Sequence, residues 1–386
     1  MSILFFANWL ALLISFFVVG CIVGAVFSKP FRKKIAELVG IGGRKDGELA
    51  RVSCNPILAP GEHPWSAEAV LNPAAVVLAG RTHLVYRAVG MDGVSRLGYA
   101  SSKNGFVFDE RLPYPIYVAT DLSHQPKYGR QYSPHMYPSG GSWGGCEDPR
   151  MVALEGRVYV TFNMFENWAL RVGVVSMSEA DFLAKRFDCW VGPFILSHGS
   201  RHKNWVLFPE KIRGQFAVLH SVIGDDANQV RVAYTDDLAT LAQQSFVSPD
   251  PQLMPDEAIA WHVHVRSAGP PPVRTDKGWL VFYHAHAPGE WNRYKLGAML
   301  LDLDDPTKIL YRSAHPVLVP DEWYENRGKP GIVYACGAVV RDGMLYLYYG
   351  GGDKVVCVAF ASLAPFLKAL MRGKETKLVS KPLKTK

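Results

Sequence analysis

The sequence is poor in cysteine and has no CxxC pair: of six cysteines, Cys21 lies in an apolar N-terminus and the others are scattered. That spacing excludes a disulfide framework and a structural zinc site, and it points to a reducing compartment. Amphipathic helical runs are missing between the apolar segments, which excludes a parallel α/β fold, because such a sheet needs crossover helices. Turn signals are too widely spaced for a β-sandwich. A large field of one sign is also lacking. The formal net charge is +7, with much of the excess in Arg32, Lys33 and Lys34 and between Lys368 and Lys386. Basic charge gathered at the two ends argues against nucleic acid as a partner and for an anionic surface such as a membrane.

Aromatic residues, by contrast, make up 12% of the chain, with 17 Tyr and 10 Trp. Their rings suit both sheet packing and a carbohydrate cleft, where they cover the apolar faces of sugars. At the N-terminus, residues 3–27 carry no charge, and a run of about 25 residues is long enough to cross a bilayer. No basic residue precedes this run, while Lys29, Arg32, Lys33 and Lys34 follow it at once. The expectation is a single-pass anchor that touches membrane lipid and leaves the rest of the chain in the cytoplasm. Val18-Val19-Gly20-Cys21 offers a rival, a lipoprotein cleavage box, but the apolar run continues past Cys21 to Phe27.

From residue 51 a long-period repeat emerges. Gly80, Gly156, Gly214, Gly278 and Gly343 each lead into an apolar, β-rich run, such as His83-Leu84-Val85-Tyr86-Arg87 or Leu345-Tyr346-Leu347-Tyr348-Tyr349. A further strand follows most of them, as in Leu97-Gly98-Tyr99-Ala100 and Leu296-Gly297-Ala298-Met299. A spacing of about 60 to 75 residues fits one four-stranded blade with insertions. The predicted fold is therefore all-β, a five-bladed β-propeller with an N-terminal transmembrane helix and a short C-terminal helix. Its divisions are 1–28 for the anchor, 29–50 for a juxtamembrane linker, 51–362 for the propeller, and 363–386 for a closing helix and basic tail.

Polar residues at strand ends of different blades can meet in a propeller's central funnel. The first unit offers Asn72 and Arg87. In the second, Gly144-Gly145-Cys146-Glu147-Asp148-Pro149-Arg150 forms a corner with two carboxylates and an arginine; Arg150 is placed to hold one acid ionised while the other titrates. An ordinary turn with a surface ion pair would have the same residues. The third unit supplies Lys203, Asn204, Glu210, Lys211 and His220; the fourth, Arg274, His284, Glu290 and Tyr294; the fifth, Tyr324, Glu325 and Asp353. His262, His264, His284 and His286 alternate along two strands as zinc ligands would, but histidines at funnel edges do so as well.

Five ordered segments resemble glycoside hydrolase family 130: Glu147-Asp148-Pro149-Arg150; Lys203 to Ile212; Gly269-Pro270-Pro271-Pro272-Val273-Arg274-Thr275; Tyr294 to Ala298; and Cys336 to Val340 with Tyr348 to Asp353. The resemblance runs from about Asn72 to Ala359. It implies a five-bladed propeller that acts on β-mannosides with inversion, as a phosphorylase or, in some branches, a hydrolase. It needs neither cofactor nor metal, and its partners would be an oligosaccharide or glycoconjugate and, in the phosphorylases, phosphate. By the same resemblance Asp148 is the proton donor, acting through the mannose 3-hydroxyl, and Asp353 holds the sugar of the −1 subsite. Asn72, Arg87, Glu147, Arg150, Lys203, Asn204, His220, Arg274, His284 and Tyr294 are the candidate substrate-binding residues. Family phosphorylases carry an arginine where this chain has Lys203 and a second where it has Ser221. Losing two planar guanidinium forks weakens a phosphate site. The expectation is therefore hydrolysis, with water activated by a carboxylate such as Glu257 or Glu290. The alternatives are a phosphorylase or mannosyltransferase using a phosphorylated donor, and a sugar-binding propeller without turnover.

Overall fold

The computed structural model describes residues 47–118, 122–123, 126–166, 169–197, 202–222, 230–243, 261 and 264–372. The apolar run 3–27, the linker up to residue 46 and the basic tail beyond Arg372 lie outside them. Among the described residues no helix is long and apolar enough to cross a membrane.

The sequence repeat appears as five antiparallel meanders. Strand β1 (Ala50–Arg51) comes first and is used last. The first meander is β2 (Ala69–Leu78), β3 (Arg81–Val89) and β4 (Val94–Ser102), with the short β5 (Glu110–Arg111) at its edge. The second is β6 (Gly144–Leu154), β7 (Arg157–Glu166), β8 (Ala169–Ser178) and, after helix α1 (Glu179–Leu183), β9 (Val191–Ile195). A short parallel pairing of Val94 and Ser95 with Gly144 and Gly145 joins these two. The third is β10 (His202–Leu207), β11 (Phe216–Val222) and β12 (Val230–Thr235). In the fourth, β13 (His264–Ala268) and β14 (Val273–Thr275) both pair with β15 (Gly278–His286), followed by β16 (Lys295–Leu301) and β17 (Ile309–Arg312). Gly269-Pro270-Pro271-Pro272 divides β13 from β14, because proline has no N–H to give the ladder. After helix α2 (Trp323–Asn326), the fifth is β18 (Val333–Arg341), β19 (Met344–Gly351) and β20 (Val355–Ser362), and β1 pairs with β20 as its outer strand. Helix α3 (Leu363–Met371) follows β20 directly.

The repeat glycines have a common cause. Ala79-Gly80, Glu155-Gly156, Arg213-Gly214 and Asp342-Gly343 are two-residue connections whose residues all have positive φ, the geometry that closes a tight hairpin between twisted strands. Gly278 sits one position later, after Asp276-Lys277, at φ +140°.

The first strands gather in a propeller-like ring. β2 packs beside β6 and β18, β10 beside β6 and β13, and β14 and β15 meet β18. The hydrophobic core consequently lies in the seams between sheets. Phe282, Leu296 and Leu300 pack against Leu345, Leu347 and Phe366 in one seam; Val206, Phe208 and Leu219 meet Trp279, Val281 and Met299 in another. With both faces of a sheet covered, its strands become continuously apolar instead of alternating, and β15 is buried along its whole length. Glycines of third strands accept aromatic rings from second strands: Tyr86 stands opposite Gly98 and Tyr283 opposite Gly297. The last sheet is tied to its N-terminal strand by Arg51, whose Nε donates to Glu325 at 2.7 Å; Tyr349 donates to the same carboxylate at 2.8 Å.

Candidate active site

Every first strand carries a β-bulge near the ring's centre. The register slips between Leu71 and Ala74, Glu147 and Arg150, Lys203 and Val206, Val265 and Ser267, and Ala335 and Gly337. A bulge turns one side chain out of the ladder and re-aims it. In the first three sheets that residue is Asn72, Asp148 and Asn204, at φ +48°, +49° and +61°. Asn and Asp tolerate this left-handed region better than other side-chain-bearing residues. Pro73 and Pro149 follow the first two, and a bulge is one of the few places where a sheet accommodates proline.

The re-aimed side chains meet in a cavity of about 390 Å³, lined also by Arg87, Lys203, Tyr294, Tyr334 and Asp353. Asp148 lies in its wall. Its Oδ1 accepts from Asn72 Nδ2 at 2.7 Å and from Arg87 Nη1 at 3.1 Å. Arg87 is almost wholly engaged: Nη2 donates to Glu147 Oε1 at 3.0 Å, to the Ser139 carbonyl at 2.6 Å and to Ser142 Oγ at 2.8 Å, and Nε to Ser95 Oγ at 2.9 Å. Glu147 also accepts from Ser139 Oγ at 2.7 Å, and Lys203 Nζ stands 3.4 Å from it. Burial drives the Asp148 carboxyl upward, but Arg87, Lys203 and Arg150, with the bond from Asn72, outweigh it and leave the pKa at about 2. Asp353 is the opposite case. Burial raises its pKa, opposed by Lys329 and Arg87, and the Lys329 ammonium is 3.8 Å away.

Arg150 helps to keep Asp148 ionised through its charge alone. It pairs with neither carboxylate: Nη1 donates to the Asp148 carbonyl at 2.6 Å and to Asn204 Oδ1 at 3.0 Å, and Nε donates to the Gly269 carbonyl at 3.2 Å. It braces the bulges of two strands, while Arg87 from the neighbouring sheet holds both acids. His284 also acts from behind the cavity. Its ring stacks on Tyr334 with centroids 4.0 Å apart, and its Nε2 accepts the Ala335 N–H at 2.9 Å. Burial, aided by Arg150, lowers its pKa to about 3, so it is neutral.

Other candidates are not brought to the cavity. His220 is buried against Trp205, with ring centroids 5.1 Å apart. Arg274 pairs with Glu210 at 3.1 Å on the surface. Glu290 is bonded to Lys295 in an adjoining groove, and Glu257 lies outside the described residues. Conversely, Ser139, Tyr334, Lys329, Trp291 and Asn292 line the cavity without having been singled out from sequence. Tyr334 lies two residues before Cys336, which sits at the fifth bulge.

The geometry offers a buried carboxylate amid cations, a second carboxylate of raised pKa, and a tyrosine held by a stacked imidazole. Such a site can bind a polyhydroxylated ligand and move a proton. A family model described as "beta-1,4-mannooligosaccharide phosphorylase" matches residues 61–372. The chain is 32% identical over 325 residues to a 1,2-beta-oligomannan phosphorylase of Thermoanaerobacter sp. (strain X514), covering 82% of this chain and 98% of that one. It is 30% identical to a beta-1,2-mannobiose phosphorylase of the same organism, covering 81% and 96%. The Listeria innocua beta-1,2-mannobiose phosphorylase, solved with beta-1,2-mannobiose, superposes with a TM-score of 0.64 at 22% identity, over 83% of this chain and 99% of that one. Its fold, its ordered motifs and these relatives agree: the chain belongs to glycoside hydrolase family 130 and is a glycoside-processing enzyme.

Proposed function

We propose that this enzyme is a β-mannoside phosphorylase on a five-bladed propeller, acting on β-1,2-linked mannosides as the two Thermoanaerobacter relatives are named to do. Hydrolysis, the expectation from Lys203 and Ser221, is the less well supported reading. The observation that carries the proposal is the placing of Lys203. Against the cost of burial, Glu147 and Asp148 keep its ammonium charged, and it reaches the cavity wall beside Asp148. It donates to Ser139 at 3.0 Å and keeps donor capacity for an anion. Among the described residues the cavity's carboxylates are Asp148 and Asp353. Glu147 is buried behind them.

In this reading a phosphate oxygen attacks the anomeric carbon on the face opposite the leaving oxygen. The new carbon–oxygen bond forms as the glycosidic bond breaks, and the product is an α-mannosyl phosphate. Asp148 passes a proton to the leaving oxygen and regains one from hydrogen phosphate, so the phosphate's hydrogen ends on the released hydroxyl. Asp148 is ionised in the free site. A bound phosphate neutralises Lys203 and adds negative charge nearby, which raises the carboxyl's pKa toward the value an acid needs.

Incubation with β-1,2-mannobiose, with and without phosphate, tests this. Mannose 1-phosphate as the main product supports it; free mannose at the same rate without phosphate overturns it and restores hydrolysis. The uncharged run 3–27 and the basic residues after it support a membrane anchor with the enzyme on the cytoplasmic side. A reporter fused after Lys386 and active outside the membrane would refute that.

A further inference from the structure

Beside the central cavity lies a second depression of about 340 Å³, and Trp291 and Asn292 line both. We propose that this groove binds the mannosyl units of a longer glycan beyond the two sugars that flank the broken bond, with Trp291 as their stacking platform. The inference rests on the central cavity being the mannoside site.

Three observations carry it. The first is continuity: the two spaces share a wall, so a chain leaving the cavity passes over Trp291. The second is the character of that wall. Trp291 is 61% exposed, a large apolar face held in water, and sugars cover such faces with their C–H surfaces while their hydroxyls seek polar groups. Asn292 and Arg293 supply those groups beside the ring.

The third is rigidity. Glu290, bonded to Lys295, closes one end of the loop, and Tyr294 N–H donates to the Gly331 carbonyl at 2.8 Å at the other. The Trp291 ring lies 5.1 Å from that of His286. On the facing wall, Asn326 Oδ1 accepts the Gly331 N–H at 3.0 Å, while its Nδ2 donates to the carbonyls of Pro320 and Glu322. A preformed groove loses little ordering entropy when it binds, which is what a weakly held, hydroxyl-rich ligand requires.

Calorimetric titration of the Asp148→Asn protein with β-1,2-linked mannobiose, mannotriose and mannotetraose reads the groove without turnover. The trisaccharide should bind roughly five- to tenfold tighter than the disaccharide, as one aromatic contact with its polar neighbours gives. Adding Trp291→Ala should bring the ratio near one. Arg293→Ala touches only the groove, and its surface ion pair with Asp321 contributes little to folding; it should reduce the same ratio. In the otherwise unaltered enzyme, Arg293→Ala should raise KM for the trisaccharide more than for the disaccharide, with little effect on kcat. Equal affinity for the two sugars, or a ratio that neither substitution moves, overturns the groove while leaving the mannoside site intact. Failure of every mannoside to bind refutes the reading of the central cavity itself.

Discussion

Asn72 and Asp148 occupy the same bulge position of successive inner strands, 76 residues apart, and are joined by a 2.7 Å hydrogen bond from Asn72 Nδ2 to Asp148 Oδ1. Both have left-handed backbones and both precede proline. One is an amide and the other an acid, so the repeat places a neutral donor against the charged residue. Gly350 permits the approach: a Cβ there would meet Asn72 Oδ1 at 2.1 Å.

Asp148→Asn keeps the shape of the side chain and removes its transferable proton. Turnover of an unactivated mannoside should fall by about two to four orders of magnitude. Folding should persist, because Arg87 keeps Glu147, Ser142 and Ser95. Initial rates and thermal unfolding of the same sample check both parts; near-normal kcat would remove Asp148 from the acid's role.

Ser221 is the ladder partner of Lys203 between β10 and β11, and it stands where the resemblance places an arginine in the family's phosphorylases. Ser221→Arg should therefore bring a guanidinium beside the ammonium. A charge-assisted bond of about 1.5 kcal/mol or more would lower KM for phosphate roughly tenfold. An unchanged phosphate KM would show that position 221 does not face the anion.

The buried His284 and His220 both have pKa values lowered to about 3, first by burial and then by Arg150 and Arg231 respectively. Each is neutral when folded and takes a proton near its ordinary value when unfolded. Stability is thus undiminished above about pH 6.5 and falls below it, by up to about 1.4 kcal/mol per pH unit for each histidine. Urea unfolding between pH 7 and 5 measures the slope. His284→Gln should make it shallower, whatever the change does to stability at pH 7.

Gly297 tests the ring-over-glycine packing. A Cβ there would come within 2.3 Å of Tyr283 Cζ, and that ring is buried between sheets. Gly297→Ala should cost about 1 to 3 kcal/mol by overpacking, seen as a lowered Tm. Tyr283→Leu in the same chain should recover part of it; an unshifted Tm for the single change would show that the ring moves freely.

The five-part repeat was legible because its causes are local. A two-residue turn needs residues that accept positive φ, and a strand covered on both faces needs an unbroken apolar run, so Gly156 and Val158 to Phe162 announce a hairpin without help from the rest of the chain. The ordered motifs likewise carried the family, and Asp148 and Asp353, which those motifs contain, line one cavity. What the sequence could not decide is which groups meet. Arg150, two residues from Asp148, helps to keep it ionised through its charge, yet the guanidinium bonded to both acids is Arg87, from the preceding meander. His220 and Arg274 were expected in the site, yet one turns into a seam and the other to the surface. Tyr334 and Lys329 came to it unannounced. Residues of all five meanders line one cavity, and a bulge re-aims the side chains it carries, so chain proximity and side-chain proximity part company there. Only the closed arrangement of the sheets fixes which residues share the cavity.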